Sequence, residues 1–395
     1  MRSPSDRLDA PAWGLVGAVF VTHLSAVVMV YALGQQYPVA RLGAGPAFAG
    51  FVLSAYILAN LAAQPLHGWL ADRVEPRLIL AVDAVVSLGP ILWAMTARQP
   101  SGFLAGCALL GVTHAGLWPC AFSIVGHRYS PQLRGRLSAA LDVTLFAGLA
   151  AGFVGGAFLI QAVGFRAAFW LAAAAMAAGA PLALWQPPVH RPGEALPRVV
   201  WGKRLRQLRD VLGSDVALLL LAAAGYNLAG YLLLPSLRAV SQRLGIDFAT
   251  LILVALPALL LGGAAILPAG WLADHLPRRP LVLTGLTVVA ASFALLGWVR
   301  SPWIFGLVMC LLVLGFTLVL PAWNALLLDV VAPQRRGLVL GLGGTLSGVG
   351  AASGSALGGM AAAAWGIPTA FLLAAAATAG STALVAAFPR RRRQG

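Results

Sequence analysis

The chain writes one five-residue phrase twice. Gly68-Trp69-Leu70-Ala71-Asp72 returns as Gly270-Trp271-Leu272-Ala273-Asp274, an offset of 202 residues in a chain of 395. Other landmarks keep the same offset. Pro131-Gln132-Leu133-Arg134-Gly135 answers to Pro333-Gln334-Arg335-Arg336-Gly337, and Pro119 to Pro321. The glycine ladder Gly148, Gly152, Gly156 answers to Gly350, Gly354, Gly358, and Gly164 with Ala168-Phe169 to Gly366 with Ala370-Phe371. A single register holding over that distance requires two copies of one structural unit.

Composition decides the solvent around those copies. Hydrophobic residues make up 60% of the chain and charged residues 10%, against roughly 25% charged in a soluble domain. No compact soluble fold hides so many apolar runs of about 20 residues, so lipid must cover them. The net charge of +15 raises the question of nucleic acid. The basic residues, however, sit in short clusters between apolar runs, as membrane orientation requires, and no nucleic-acid partner is expected. Cys107, Cys120 and Cys310 all fall inside apolar segments, with neither a disulfide framework nor metal-ligand spacing. The apolar run from Ala12 to Leu33 is longer than the roughly 7–15 residues of a signal-peptide core, so a cleavable leader is not expected.

Apolar runs read against loop punctuation give twelve expected helices: 12–33, 45–67, 77–97, 101–126, 135–160 and 165–186, then 214–236, 248–270, 279–299, 302–328, 337–363 and 367–388. The longest polar stretch, from Gln186 to Gly213, carries Arg191, Arg198, Lys203, Arg204, Arg206 and Arg209. The expected division is therefore a bundle at 1–186, a cytoplasmic linker at 187–213 and a second bundle at 214–395. With the linker in the cytoplasm, only Arg41, Arg98, Arg166, Arg238, Arg243 and Arg300 of the 27 Lys and Arg fall on the opposite side. Such a bias puts both termini inside, with the Arg390–Arg393 cluster anchoring the last helix. An even number of spans per copy makes the repeats parallel, related by an axis along the membrane normal. The expected class is an all-α membrane protein of two parallel six-helix pseudo-repeats, an arrangement typical of secondary transporters with a substrate site between the halves.

The loop motifs resemble those of the major facilitator superfamily over essentially the whole length. The family's loop between helices 2 and 3 reads G-x-L-A-D-R-x-G-R-K. Here it is Gly68, Leu70, Ala71, Asp72, Arg73, then Glu75 where glycine is usual, Pro76 and Arg77. The second copy has Gly270, Leu272, Ala273 and Asp274, His275 in place of arginine, Pro277 in place of glycine, then Arg278 and Arg279. The resemblance implies a cytoplasmic latch that holds an outward-open state and breaks as the halves rock. Asp72 would hold the start of helix 11 near Arg336 and Gly337, Asp274 would do likewise near helix 5, and Asp329 would pair with Arg278 or Arg279. The competing reading is that these charges only set topology. Gly148, Gly152, Gly155 and Gly156 resemble the antiporter motif G-x-x-x-G-P-x-x-G-G, with Phe153 replacing the proline. Helix 11 fits its spacing better, with Gly350, Gly354, Gly358 and Gly359, and Ser355 at the proline position. Small-residue ladders also serve plain helix packing. Cys107 stands four residues before Gly111, where the family's R-x-x-x-G motif has its arginine, so the resemblance supplies no proton route there.

Ionisable residues inside apolar spans are costly and therefore mark candidate sites. Here they are His23 in helix 1, Asp83 in helix 3, His114 in helix 4 and Asp142 in helix 5. A histidine on a cavity-lining helix can titrate between the two sides of a membrane, and a partly desolvated carboxylate can pick up a proton. Competing readings are hydrogen-bonded neutral histidines, a pair of Asp142 with Arg134 or Arg136, and a local salt bridge at Asp83. Tyr56, Asn60, Gln64 and His67 are spaced 4, 4 and 3 apart and share one face of helix 2. The matching face of helix 8 is Ala258, Gly262, Ile266 and Ala269, so polar chemistry concentrates in the first copy. Tyr226, Asn227 and Tyr231 on helix 7, with Trp323 and Asn324 on helix 10, suit an aromatic and amide wall for a ligand. No Arg or Lys falls at mid-membrane depth, which disfavours anionic cargo.

The expected activity is proton-coupled export of small amphipathic molecules, neutral or cationic, by a monomeric multi-pass protein of a bacterial inner membrane. Import of a small neutral metabolite is the alternative. Neither cofactor nor metal is expected, and the chain lacks an enzyme's constellation: no clustered ligands, no nucleophile with a base, no phosphate loop.

Overall fold

The computed structural model describes residues 9–189, 215–331 and 336–388. Within them are twelve helices long and apolar enough to cross a membrane, and no strand. They are α1 (Ala10–Arg41), α2 (Phe48–Ala71), α3 (Pro76–Thr96), α4 (Pro100–Arg128), α5 (Pro131–Ala162) and α6 (Phe165–Leu184). The remainder are α7 (Val216–Leu244), α8 (Phe248–His275), α9 (Arg278–Leu296), α10 (Pro302–Val330), α11 (Arg336–Trp365) and α12 (Ile367–Ala387). The chain divides into two compact units, Met1–Pro197 and Arg198–Gly395. Most of the expected linker, residues 190–213, lies outside the described residues, as does the terminal Arg390–Arg393 cluster.

Each unit is assembled by the same rule. In the first, α1 packs on α5 and α6, α2 on α4, and α3 on both α4 and α6. In the second, α7 packs on α11 and α12, α8 on α10, and α9 on both α10 and α12. Turn geometry repeats too. Gly164 (φ 106°) and Gly366 (φ 86°), 202 residues apart, open α6 and α12 in a backbone region that side chains rarely enter.

The glycine ladders lie in two of the helix contacts, α7 with α11 and α1 with α5. A Cβ on Gly350, Gly354 or Gly358 of α11 would run into the carbonyl oxygens of Ala224, Leu228 and Leu232 on α7. Backbone meets backbone there, which only small residues allow. In the first unit, a Cβ on Gly148, Gly152 or Gly156 of α5 would first meet side chains of α1: His23 at 2.9 Å, Val27 at 2.8 Å and Ala32 at 2.7 Å.

Three elements depart from the expected boundaries. α1 was expected to stop near Leu33, where Gln35, Gln36 and Pro38 begin. Instead it continues to Arg41 through a π-helical turn at Val28–Leu33. Gln35 is 1% exposed inside the bundle, and Gln36 donates to Ala32 O of its own helix. Gln36 thus finds a partner on its own helix and Gln35 is taken into the bundle, so neither ends the helix. α7 likewise runs past residue 236 to Leu244, because Leu237, Val240 and Ser241 are buried. α4 is broken at His114–Gly116 between Pro100–Thr113 and Leu117–Arg128. Pro119 has no N–H to offer Ala115 O, so the regular ladder cannot close across the turn.

Candidate functional site

The polar stripe of α2 faces its own bundle and is knitted to α4. Asn60 Nδ2 donates to Gly111 O at 3.1 Å, and Gln64 Nε2 donates to Asn60 Oδ1 at 2.9 Å. Gly111 makes the approach possible, since a Cβ there would collide with Tyr56 O. At the end of α4's first segment, His114 Nδ1 lies 2.7 Å from Tyr56 Oη. The His114 ring also stacks on His23 of α1, with centroids 6.3 Å apart and planes 24° apart. Two of the ionisable candidates, His23 and His114, thus meet each other and Tyr56.

A second cluster lies at the α2–α3 hairpin. His67 Nε2 is 3.4 Å from Asp83 Oδ2, with side chains 8% and 19% exposed. The other ring nitrogen, Nδ1, is 3.0 Å from Ala63 O. A carbonyl only accepts, so Nδ1 carries a hydrogen. The glycine at the α4 break completes the enclosure: a Cβ on Gly116 would strike Asp83 Oδ2 and come within 2.8 Å of His67 Cδ2.

The remaining candidates are scattered. Asp142 is exposed on α5, and among the described residues no ion pair joins it to Arg134 or Arg136. Arg134 Nε instead donates to Tyr129 O. In the second unit, Tyr226 is buried, packs on Phe316 at 4.8 Å and donates to its carbonyl at 3.4 Å. Asn227 Nδ2 donates to Ala223 O on its own helix, Tyr231 is half-buried, Trp323 packs on the buried core and Asn324 is exposed.

Motif residues at the loops hold their own units together. Asp72 is exposed at the end of α2, and Arg73 lies over the Trp69 ring at 3.9 Å. Arg77 donates to Gln186 O at 2.9 Å, and Glu75 accepts from Val189 N at 2.9 Å, so the α2–α3 loop grips the chain leaving α6. In the second unit, Arg278 pairs with Asp329 and donates to Ala273 O and Ala325 O, while Arg279 donates to Ala386 O at 2.6 Å. Asp274 is exposed. The side chains of Arg336, and of Pro131 and Gln132 at the start of α5, lie outside what the structure describes. Gly68 and Gly270 face open space.

Two features escaped the sequence reading. One is a clamp at the start of the first unit: Arg128 pairs with Asp9 at 2.5 Å, Tyr129 Oη donates to Asp9 Oδ1, and so does Ala12 N at the start of α1. Nothing in the spacing links residues 9 and 128. The other is the His67–Asp83 contact, for which a signal existed. Both residues stand eight positions from Glu75 at the hairpin's centre, and residues equidistant from an antiparallel turn lie at one depth.

The architecture is that of an all-helical, multi-pass membrane protein with ionisable groups enclosed among apolar helices. A family model described as the Major Facilitator Superfamily matches residues 15–267 and 219–395, and the chain belongs to that family. Its similarities to individual proteins are more distant. A stretch of 179 residues is 30% identical to a "Multidrug resistance protein B homolog" of Mycobacterium tuberculosis, covering 42% of this chain and 31% of the relative. The chain thus spans about a third of the length of the first curated relatives it matches. Over 336 residues it is 25% identical to "Multidrug resistance protein MdtG" of Citrobacter koseri, covering 83% of this chain and 81% of that one. Among solved structures, a bacterial homologue of the human lysosomal transporter Spinster, in an inward-facing and unoccupied conformation, aligns with a TM-score of 0.71 at 14% identity. That alignment covers 95% of this chain and 94% of the other, and it speaks for the fold.

Proposed function

We propose that this transporter couples proton movement to the export of small amphipathic molecules, neutral or cationic, by alternating access. The observation that carries this reading is the gathering of His23, Tyr56, His114, His67 and Asp83 inside the first unit, where ionisable groups are costly unless used. Cargo preference follows from charge: no Arg or Lys stands at mid-span to match an anion. The relatives named for multidrug resistance support export. Asp142, exposed on α5, is a further proton-binding group in this reading. Tyr226, Asn227, Tyr231, Trp323 and Asn324 supply an aromatic and amide surface for cargo in this reading, as do Tyr56, Asn60 and Gln64 in the first unit.

In the same reading the protein is a monomer in a bacterial inner membrane, both termini cytoplasmic, with residues 187–213 linking the bundles. Gly68, Asp72, Arg73 and Arg77, with Gly270, Asp274, Arg278, Arg279 and Asp329, form the cytoplasmic latch. Everted and right-side-out vesicles test the whole. Proton-driven movement of ethidium out of the cytoplasmic side is expected, and Asp72→Asn should slow it at least tenfold while insertion is unchanged. Uptake of a neutral metabolite in place of ethidium would establish import, and full activity of Asp72→Asn would remove the latch.

A further inference from the structure

His114 Nε2 is buried without a hydrogen-bond partner, and the buried Asp83 Oδ2 has His67 Nε2 3.4 Å away. Asp83 and His114 line one small cavity bordered by α1, α3, α4 and α6, together with Thr22, Ser87, Thr113 and Met176. The cavity has room for about one water molecule. Its hydroxyls already donate elsewhere: Thr22 to Ala18 O, Ser87 to Thr113 Oγ1, and Thr113 to Leu110 O. Each hydroxyl oxygen keeps a lone pair for a further donor. A water there finds the two to four polar partners it needs.

The His67–Asp83 contact adds a constraint of its own. Because Nδ1 of His67 is committed as a donor to Ala63 O, a neutral His67 turns the bare lone pair of Nε2 toward Asp83. A lone pair facing a carboxylate 3.4 Å away is repulsive. One proton must therefore lie between them, on the imidazole or on the carboxyl.

We propose that His67 and Asp83 form a single-proton site, and that a water in the adjoining cavity connects it to His114. This deepens the proton-coupled reading and, for its role in transport, rests on it. The relay is chemically balanced. When a second proton reaches Asp83 while His67 keeps the first on Nε2, Asp83 gives that second proton to the water oxygen as the same water gives one of its own to His114 Nε2. The O–H bond at Asp83 breaks, an N–H bond at His114 forms, and the water is unchanged. His114 can accept when its Nδ1–H donates to Tyr56 Oη across their 2.7 Å contact. The titratable groups around the relay are His23 from α1, Tyr56 and His67 from α2, Asp83 from α3, and His114 and Cys120 from α4. From α6 come Met176, Gly179 and Ala183, none of which titrates.

The test is an infrared and 15N-histidine NMR titration of the purified full-length protein in lipid nanodiscs. One carboxyl titration should vanish in Asp83→Asn, and its midpoint should move by about one pH unit or more in His67→Gln. His114→Gln should perturb the same carboxyl band. His67 should keep its Nδ1 hydrogen throughout. A carboxyl signal indifferent to both histidines would overturn the site, as would a His67 protonated only on Nε2. Ethidium flux in vesicles then separates the two readings. If the wild type moves no ethidium while the Asp83 band still follows His67, the export reading fails and the proton site stands. Wild-type coupling in both Asp83→Asn and His67→Gln would overturn the site as the coupling group.

Discussion

Asp9 shows how one carboxylate can fasten a helix start to a distant loop. It caps α1 through Ala12 N and also receives Arg128 and Tyr129. Partial burial opposes its charge, but the hydrogen bonds from Arg128, Ala12 N and Tyr129 outweigh it and hold the carboxyl below its ordinary value of 3.8. A lowered folded value means the clamp contributes fully above that ordinary value. The contribution fades as pH falls and is gone once the folded carboxyl itself takes a proton. Asp9→Ala should therefore lower thermal stability at neutral pH by about 1 kcal/mol, a typical loss for a cap. Asp9→Asn, which keeps a capping oxygen, should lose less. Both differences should shrink as a series of melts is carried to acid pH, and a pH-independent deficit would rule out the charged clamp. At this scale the sequence was legible where chemistry is local, as in the α2 stripe and its one-sided spacing. Arg128 with Asp9 was not, because nothing in the sequence shows that chain positions 119 residues apart meet in space.

Helix partners follow from which face can approach. α11 brings Gly350, Gly354 and Gly358 against carbonyl oxygens of α7, whereas α5 brings its ladder against side chains of α1. Carbonyls cannot rotate away, but an imidazole can. Gly350→Ala should thus cost about 1–3 kcal/mol, the usual range for overpacking, measured by thermal unfolding in detergent. Gly148→Ala should cost less and instead displace His23, visible as a changed 15N signal for that residue. Equal losses in the two variants would show that the ladders are packed alike. The sequence exposed these ladders through spacing alone, together with the number of helices. It misjudged where α1 and α7 end, since nothing in it shows that Gln35, Leu237 and Val240 are buried. The break in α4 was marked only by Gly116 and Pro119, signals that many unbroken membrane helices also carry.

The offset of 202 residues accounts for the molecule's plan, and it also exposes what differs. Position 114 corresponds to Phe316, position 83 to Gly285 and position 67 to Ala269. Where the first unit sets His114 beside Tyr56, the second sets Phe316 beside Tyr226. Orientation is the prediction that belongs here. A cysteine replacing Arg300 should react with a membrane-impermeant maleimide on intact cells, and one replacing Arg73 only after permeabilisation. The reverse pattern would invert the proposed topology. Because both units share one packing scheme while, among the described residues, the buried His67–Asp83 and His23–His114 pairs belong to the first, scaffold and chemistry are separable. Mutation can retune the acid–base half, or let the other drift toward new cargo, without either change having to rediscover how six helices fit together. Gene duplication here left a spare set of walls.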